Sequence, residues 1–501
     1  MNHLNWADWL VIVGYLGGII AFGMWFGREQ KTTRDYFLGS RNIPWWGVGF
    51  SIVATETSAL TFIGVPAMAY GPDNLGFMQI VIGYVLARII LAVVMVPHYF
   101  RGEIYSPYQL LGDVFGHPAR RTIGLFFLMA GTLAAGVRVY VTCIPLQLMV
   151  GYRDDQILWV ILLFVGLSWI YTFVGGVKAV IWTDAVQFFL FMAGGLFALC
   201  YIPTLVAGGW SGALAKAGAA GKLDWLNASL TLGKPFNLWM GVVGATFQVM
   251  SSHGADQLVV QRVLTCSSVT EGRKALVLSA VIIFPLFLMF LLTGTMLWVY
   301  YQQFPQLPIP VPEVRPGVGK YDYIFPIFIL TAMPNVVKGF LIVAILSAAM
   351  SSVSSALSAL AAVSMTDLFK VKAETAGGEA AKLKWSRYST ALWAVMLIVV
   401  AYLTKEVESV LNAAFSLSGL TSGAMLGGLL LALNFKRGRA VPVIAGMVAS
   451  LAGMICLVVF MKPAIAWPWF TMIGTAITVV VALLVNAVGG SGEDRPERGG
   501  E

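Results

Sequence analysis

Charge is scarce in this chain. Asp, Glu, Lys and Arg together make up 11% of its 501 residues, against 58% hydrophobic. Soluble domains run near one quarter charged, so a water-soluble fold is excluded. Cysteine is scarcer still: Cys143, Cys200, Cys266 and Cys456 are scattered through or beside apolar segments, without metal-ligand spacing. That excludes a disulfide framework, a zinc site and a redox pair, and predicts four buried thiols. No loop carries a glycine-rich phosphate cradle or a nucleophile elbow. ATP-driven pumping and intramembrane hydrolysis therefore have no support; neither an enzyme nor an organic cofactor is expected. The net charge of +8 does not indicate a nucleic-acid partner, because the Lys and Arg residues sit in short connections between apolar blocks.

Those blocks are what the chain has in place of charge. Each is about 20 residues long, the length a helix needs to cross hydrocarbon. With a mean hydropathy of +0.81 they predict an all-α polytopic protein of the lipid bilayer. Thirteen spans are expected, at 6–26, 44–71, 76–97, 122–150, 156–175, 180–206, 238–262, 274–300, 335–367, 386–403, 408–433, 441–461 and 466–487. The first has neither a basic leading segment nor a small-residue cleavage site, and reads as a retained helix. With the N-terminus outside, inner loops hold 21 of the 32 basic residues and outer loops nine, while Arg88 and Arg138 lie within spans. Basic residues concentrate on the cytoplasmic side. The expected orientation in the inner (plasma) membrane is therefore N-terminus outside and C-terminus cytoplasmic. Two outer connections, 207–237 and 303–322, are long, and the second is Pro-rich and stiff. The stretch 323–334 is expected to form a short external helix or hairpin, and the polar, Gly-rich tail 488–501 to be disordered.

Polar residues inside the spans separate a transporter from a channel or a scaffold. The second span holds Thr55, Glu56, Thr57, Ser58 and Thr61 near its middle, with Gly47, Gly49 and Gly64 around them and Pro66 after. This composition suits a helix interrupted at the midplane, whose freed carbonyls need a ligand. Close packing of small residues explains the Ser and Thr equally well. It does not explain Glu56, since an ionised carboxylate at that depth costs several kcal/mol. In the ninth span, Ala348, Ser351, Ser352 and Ser355 fall on one helical stripe, a hard-oxygen surface that suits an alkali ion or a tight packing face. The seventh span, "ATFQVMSSHGADQLVVQR" at 245–262, is a second polar, broken helix. Two interrupted helices at matching positions of two halves point to a transporter site, and five spans separate their starts. Asp184 begins the sixth span, where a first-turn acid is also favoured by the helix dipole. His253 reads more readily as a packed, hydrogen-bonded side chain than as a proton relay.

At these motifs the chain resembles the sodium:solute symporter family, the relatives of sodium/glucose, sodium/proline and sialic acid symporters, in a bacterial-type form. The matching segments are "RDYFLGSR" (34–41), "ATETSALTFIGVPAMAY" (54–70), "YTFVGGVKAVIWTDAVQ" (171–187), "DQLVVQR" (256–262), "AAMSSVSSALS" (348–358) and "SGLTSGAMLGGLLLALNFKR" (418–437). The resemblance implies a leucine-transporter-type inverted five-plus-five repeat. One extra helix at 6–26 precedes repeats at 44–206 and 238–433, and two more follow at 441–487, all within one transporter domain over 1–487. It implies a main sodium site formed by the carbonyls of Ala54, Thr57 and Ala348 with the hydroxyls of Ser351 and Ser352. Some members have a second, deeper sodium position, matched here by Asp184, Ser351, Ser354 and Ser355. Substrate residues carry over poorly. In sialic acid symporters the position of Glu56 is a threonine, and a substrate-binding arginine falls near Gly131.

The remaining candidates for solute contact are Thr55, Glu56, Ser58, Thr61, Tyr84, Arg138, Phe247 and Gln248. Glu56 and Arg138 either bind opposite ends of a zwitterion or neutralise each other. The expected activity is sodium-coupled import of a small polar organic solute by alternating access, with an amino-acid-like or carboxylated solute favoured over a sugar or polyol. A transporter-like membrane sensor is the alternative of another class, and no obligate protein partner is evident. Sodium is the coupling ion and the only metal expected.

Overall fold

A computed structural model describes residues 4–29, 31–101, 104–150, 156–234, 236–307, 309–311, 313–315, 318–319, 321–368, 378–404, 410–460 and 464–488. The tail predicted to be disordered lies outside them, apart from Val488. The first helix, α1 (Trp6–Trp25), starts in a reciprocal cap: the Asn5 side chain accepts from the Asp8 amide and the Asp8 carboxylate from the Asn5 amide. Asp8 also accepts the amides of Val336 and Gly339 at 2.8 and 3.1 Å, which ties the start of α1 to the start of a later helix. A short α2 (Thr33–Leu38) is capped in the same way by Thr32 and Asp35.

The break expected in the second span falls at Thr57. Helix α3 (Trp45–Glu56) ends there because Thr57 leaves helical geometry at ψ 88°, and the Ser58 hydroxyl caps the start of α4 (Ala59–Tyr70). The two halves are bent by 56°. There follow α5 (Met78–Val94), α6 (Val96–Tyr99), α7 (Tyr108–Phe115), α8 (His117–Val150) and α9 (Ile157–Tyr201). The last is two helices joined without a loop at Gly176, whose φ of 58° only glycine adopts readily. A Cβ there would also meet the Tyr36 carbonyl oxygen at 2.6 Å.

After α10 (Gly209–Ala219) comes the second broken helix. Two π-helical turns, 240–245 and 251–255, flank α11 (Thr246–Met250); Asp256 is extended and caps α12 (Gln257–Val263). Next are α13 (Val269–Gln303), a small hairpin of β1 (Glu313–Arg315) and β2 (Val318–Gly319), and α14 (Ile324–Ala332). The hairpin lies within 303–322, and of the helix or hairpin expected at 323–334 the chain forms the helix, α14. The chain ends in α15 (Val337–Val363), α16 (Gly378–Leu403), α17 (Val410–Asn434), α18 (Ala440–Phe460) and α19 (Phe470–Val488).

Helix α15 is the centre of the bundle: 94% of its most apolar stretch is buried, against 17% for α1 and 28% for each of α16, α18 and α19. Its Ala and Ser residues allow neighbouring backbones to approach closely. The hydroxyls of Ser347, Ser352 and Ser355 bond back to the carbonyls four residues earlier, so no polar group is stranded. Among the described residues eight helices are long and apolar enough to cross a membrane, nine when α3 and α4 count as one bent span. The chain is a multi-pass helical membrane protein. Cys143 and Cys266 are buried as predicted, but Cys200 and Cys456 are exposed. They lie beside the exposed Leu196 and Phe197 on α9 and Ile455 and Val459 on α18, on apolar faces turned away from the core. In the connection between α10 and the second broken helix, Lys222 donates to the carbonyls of Ala69 and Tyr70, closing the end of α4. Burial lowers its ammonium pKa and raises that of the Asp73 carboxyl, each opposed by the charge of the other.

Candidate sodium and solute site

The two helix breaks and α15 bring the polar candidates together. Ala54 and Thr57 sit at the end of α3, where the turn to α4 leaves backbone carbonyls without helical partners. The Thr57 hydroxyl is fully buried and has no hydrogen-bond partner among the described residues. On α15, which packs against α3, the Ser352 hydroxyl donates only to the Ala348 carbonyl at 3.2 Å. Ser351 donates outward, to Asp184 at 2.7 Å. A hydroxyl that has spent its proton still offers lone pairs, so the oxygens of Ser351 and Ser352 and the orphaned Thr57 oxygen form a donor set that fits a hard cation. Among the described residues no cluster of His, Cys, Asp and Glu could hold a transition metal.

The second, deeper position comes out differently. Asp184 is not a first-turn acid: it lies inside α9, fully buried, eight residues past the Gly176 break. The structure brings Ser351 and Ser355 to it, but it also brings Arg262 from α12, whose Nη2 donates to Asp184 Oδ2 at 2.9 Å and to the Ser355 hydroxyl. Ser354 turns away, donating to the Ser351 carbonyl at 3.1 Å. Arg262 closes the quoted motif "DQLVVQR", and nothing in sequence spacing placed it opposite Asp184.

Glu56 also has a partner other than the one considered. Its carboxylate pairs with Arg88 of α5, not with Arg138, and lies 3.5 Å from His253 Nε2. Arg88 is fully buried; it donates further to the Tyr84 carbonyl (2.9 Å) and the Ser279 hydroxyl (3.1 Å). His253 is a packed, hydrogen-bonded residue: Nδ1 lies 2.9 Å from the Ser252 hydroxyl and Nε2 3.0 Å from Arg88.

A cavity of about 190 Å³ opens beside both breaks, and Thr55, Glu56, Ser58, Thr61, Tyr84, Arg138 and Gln248 all line it. Phe247 does not. Its neighbours Gln248 and Val249 do, as do Ser251, Ser252 and His253 further along. Sequence reasoning missed Asp256, Ser252 and Ser422, which also line the cavity. Arg138 is partly exposed there, with no carboxylate within ion-pair distance among the described residues; its electrostatic partners are Asp256, Tyr84 and Glu56. Gly131, two turns earlier on α8, lines the same wall without a side chain. Buried Gln248 Oε1 has no hydrogen-bond partner among the described residues.

The model of the sodium:solute symporter family matches residues 36–485. A sodium/sialic acid symporter of Aliivibrio fischeri is 30% identical over 492 residues, covering 95% of this chain and 92% of its own length. One from Proteus mirabilis is 29% identical, covering 91% and 90%. Among solved structures, a Na+-coupled sialic acid symporter in a substrate-bound outward-open state superposes with a TM-score of 0.85 at 26% identity, over 97% of this chain and 98% of that one. A nucleobase-cation symporter, 15% identical with a TM-score of 0.56, shares the fold alone. These relatives are transporters, not enzymes. The chain belongs to the sodium:solute symporter family and is a sodium-coupled symporter.

Proposed function

We propose that the protein imports a small carboxylated solute with sodium by alternating access, and that the favoured solute is an acidic sugar of the sialic acid class. The observation that carries this reading is Arg138, a cavity-lining guanidinium with no carboxylate within ion-pair distance among the described residues. A bidentate guanidinium is the side chain best matched to a carboxylate. The relatives of matching length carry sialic acid, but their substrate arginine falls near Gly131. Here the charge stands two turns further along α8, so the solute is held deeper or turned. Thr55, Ser58, Thr61, Tyr84 and Gln248 supply the remaining polar contacts, while Glu56 is neutralised by Arg88. Sodium sits between Ala54, Thr57, Ala348, Ser351 and Ser352, and its binding stabilises the state that the solute completes. The thirteen-span arrangement, with the N-terminus outside and the C-terminus cytoplasmic, frames this site in the cell membrane.

A second reading has its own observation. Asp256 lines the same cavity as Arg138 and interacts with it electrostatically, so a zwitterion would meet both charges. An amino-acid-like solute fits that pair. Uptake of radiolabelled sialic acid, amino acids and neutral sugars into proteoliposomes, with and without a sodium gradient, separates the readings. Sodium-dependent uptake of sialic acid that Arg138→Gln abolishes, with the melting temperature unchanged, is the expected result. Undiminished uptake in Arg138→Gln would remove Arg138 from the site.

A further inference from the structure

Asp184 is fully buried and its carboxylate is saturated with donors. Its Oδ1 accepts the Ser351 hydroxyl at 2.7 Å; its Oδ2 accepts the Ser51 hydroxyl at 2.6 Å and Arg262 Nη2 at 2.9 Å. Arg262, 1% exposed, has an acceptor for each nitrogen: Nε donates to the Ser51 hydroxyl at 2.8 Å, Nη1 to the Leu258 carbonyl, and Nη2 to Asp184 and the Ser355 hydroxyl. Ser355 in turn donates to the Ser351 carbonyl at 2.5 Å, and Thr55 stands 3.3 Å from Ser355. Two of the oxygens that would coordinate an ion at Asp184, its own Oδ2 and the Ser355 hydroxyl, are therefore already accepting from a guanidinium. The single negative charge of the cluster is matched by a single positive one, and buried charges are stable only when matched. A second cation would have to enter beside a fixed positive group.

We propose that Arg262 is the resident cation of the Asp184 cluster, so that the protein binds one sodium ion per cycle, at the α3 break against α15. The inference rests on the sodium-symport reading and on the main site given above. It assigns Asp184 a positioning role as well. By taking the Ser351 proton, Asp184 fixes the rotamer of that hydroxyl and turns its lone pairs toward the main site.

Equilibrium binding of radioactive sodium to the purified full-length protein, without solute, counts the sites. The expected wild-type result is one sodium per chain, weakened tenfold or more by Ser352→Ala. Arg262→Gln uncovers the Asp184 carboxylate and should raise the count to two, and adding Asp184→Asn should return it to one. Two sodium ions on the wild type overturn the proposal, whether or not Arg262→Gln folds. A single ion insensitive to Ser352→Ala but lost in Asp184→Asn also overturns it, by placing sodium at Asp184. The absence of saturable sodium binding would overturn the main site and this inference together, an outcome distinct from a count of two.

Discussion

At the scale of single residues, the chain separates two kinds of buried charge. Glu56 and Arg88 neutralise each other, with Arg88 held by Ser279 and the Tyr84 carbonyl besides. Removing one member of such a pair typically costs about 3–5 kcal/mol, because the other is left uncompensated. Glu56→Gln and Arg88→Gln should each lower the melting temperature sharply in detergent with sodium present. The double variant should recover much of the loss, which thermal unfolding of all three reports. If the double variant melts no higher than the worse single variant, the two residues do not act as a pair. Glu56 was conspicuous in the sequence because a carboxylate at the middle of an apolar span is expensive. Its partner was not legible. Arg88 and Arg138 both lie within spans, 32 and 82 residues downstream, and only the rotation of α5 and α8 about their axes decides which one reaches Glu56. The same blindness hid Arg262 from Asp184.

Helices are read from sequence where local chemistry ends them. The interruptions of the second and seventh spans were visible, though not their exact places, because Thr57, Ser58, Gly254 and Asp256 are weak helix formers or capping side chains. The junction within α9 was legible only in part. The expected spans 156–175 and 180–206 left a short connection there, whereas the two helices meet at a single residue. Gly176 has φ 58°, and a Cβ added there lies 2.6 Å from the Tyr36 backbone oxygen and 2.8 Å from the Tyr36 ring. With ψ at −158° this backbone conformation is essentially restricted to glycine and costs another residue roughly 1–3 kcal/mol, and the backbone clash adds to it. Gly176→Ala should therefore reduce the yield of monodisperse protein and its melting temperature. Gly166→Ala on the same helix, where a Cβ meets nothing within 4 Å, should change neither. Size-exclusion profiles and melts of the two variants make the comparison; equal behaviour would show that α9 tolerates a straight path through 176.

For the whole molecule, the number of sodium ions and the charge of the solute together decide what drives transport. Arg262 remains in the protein throughout the cycle, so the charge it brings to Asp184 is not a transported one. With one sodium and a monoanionic solute such as sialic acid, the translocated complex is neutral. The sodium concentration gradient then drives uptake and the membrane potential contributes nothing. A zwitterionic solute carried with one sodium moves one positive charge, as does sialic acid carried with two. One charge crossing ~100 mV is worth roughly 2.3 kcal/mol, which corresponds to about 50-fold in equilibrium accumulation. Proteoliposomes with a fixed sodium gradient and a potassium diffusion potential set by valinomycin distinguish these cases. Sialic acid accumulation should be the same at zero and at about −100 mV, while any amino acid the protein carries should accumulate many-fold more at the negative potential. A comparable rise for sialic acid would mean that a second sodium travels with it, and that Arg262 yields its place at Asp184 during the cycle.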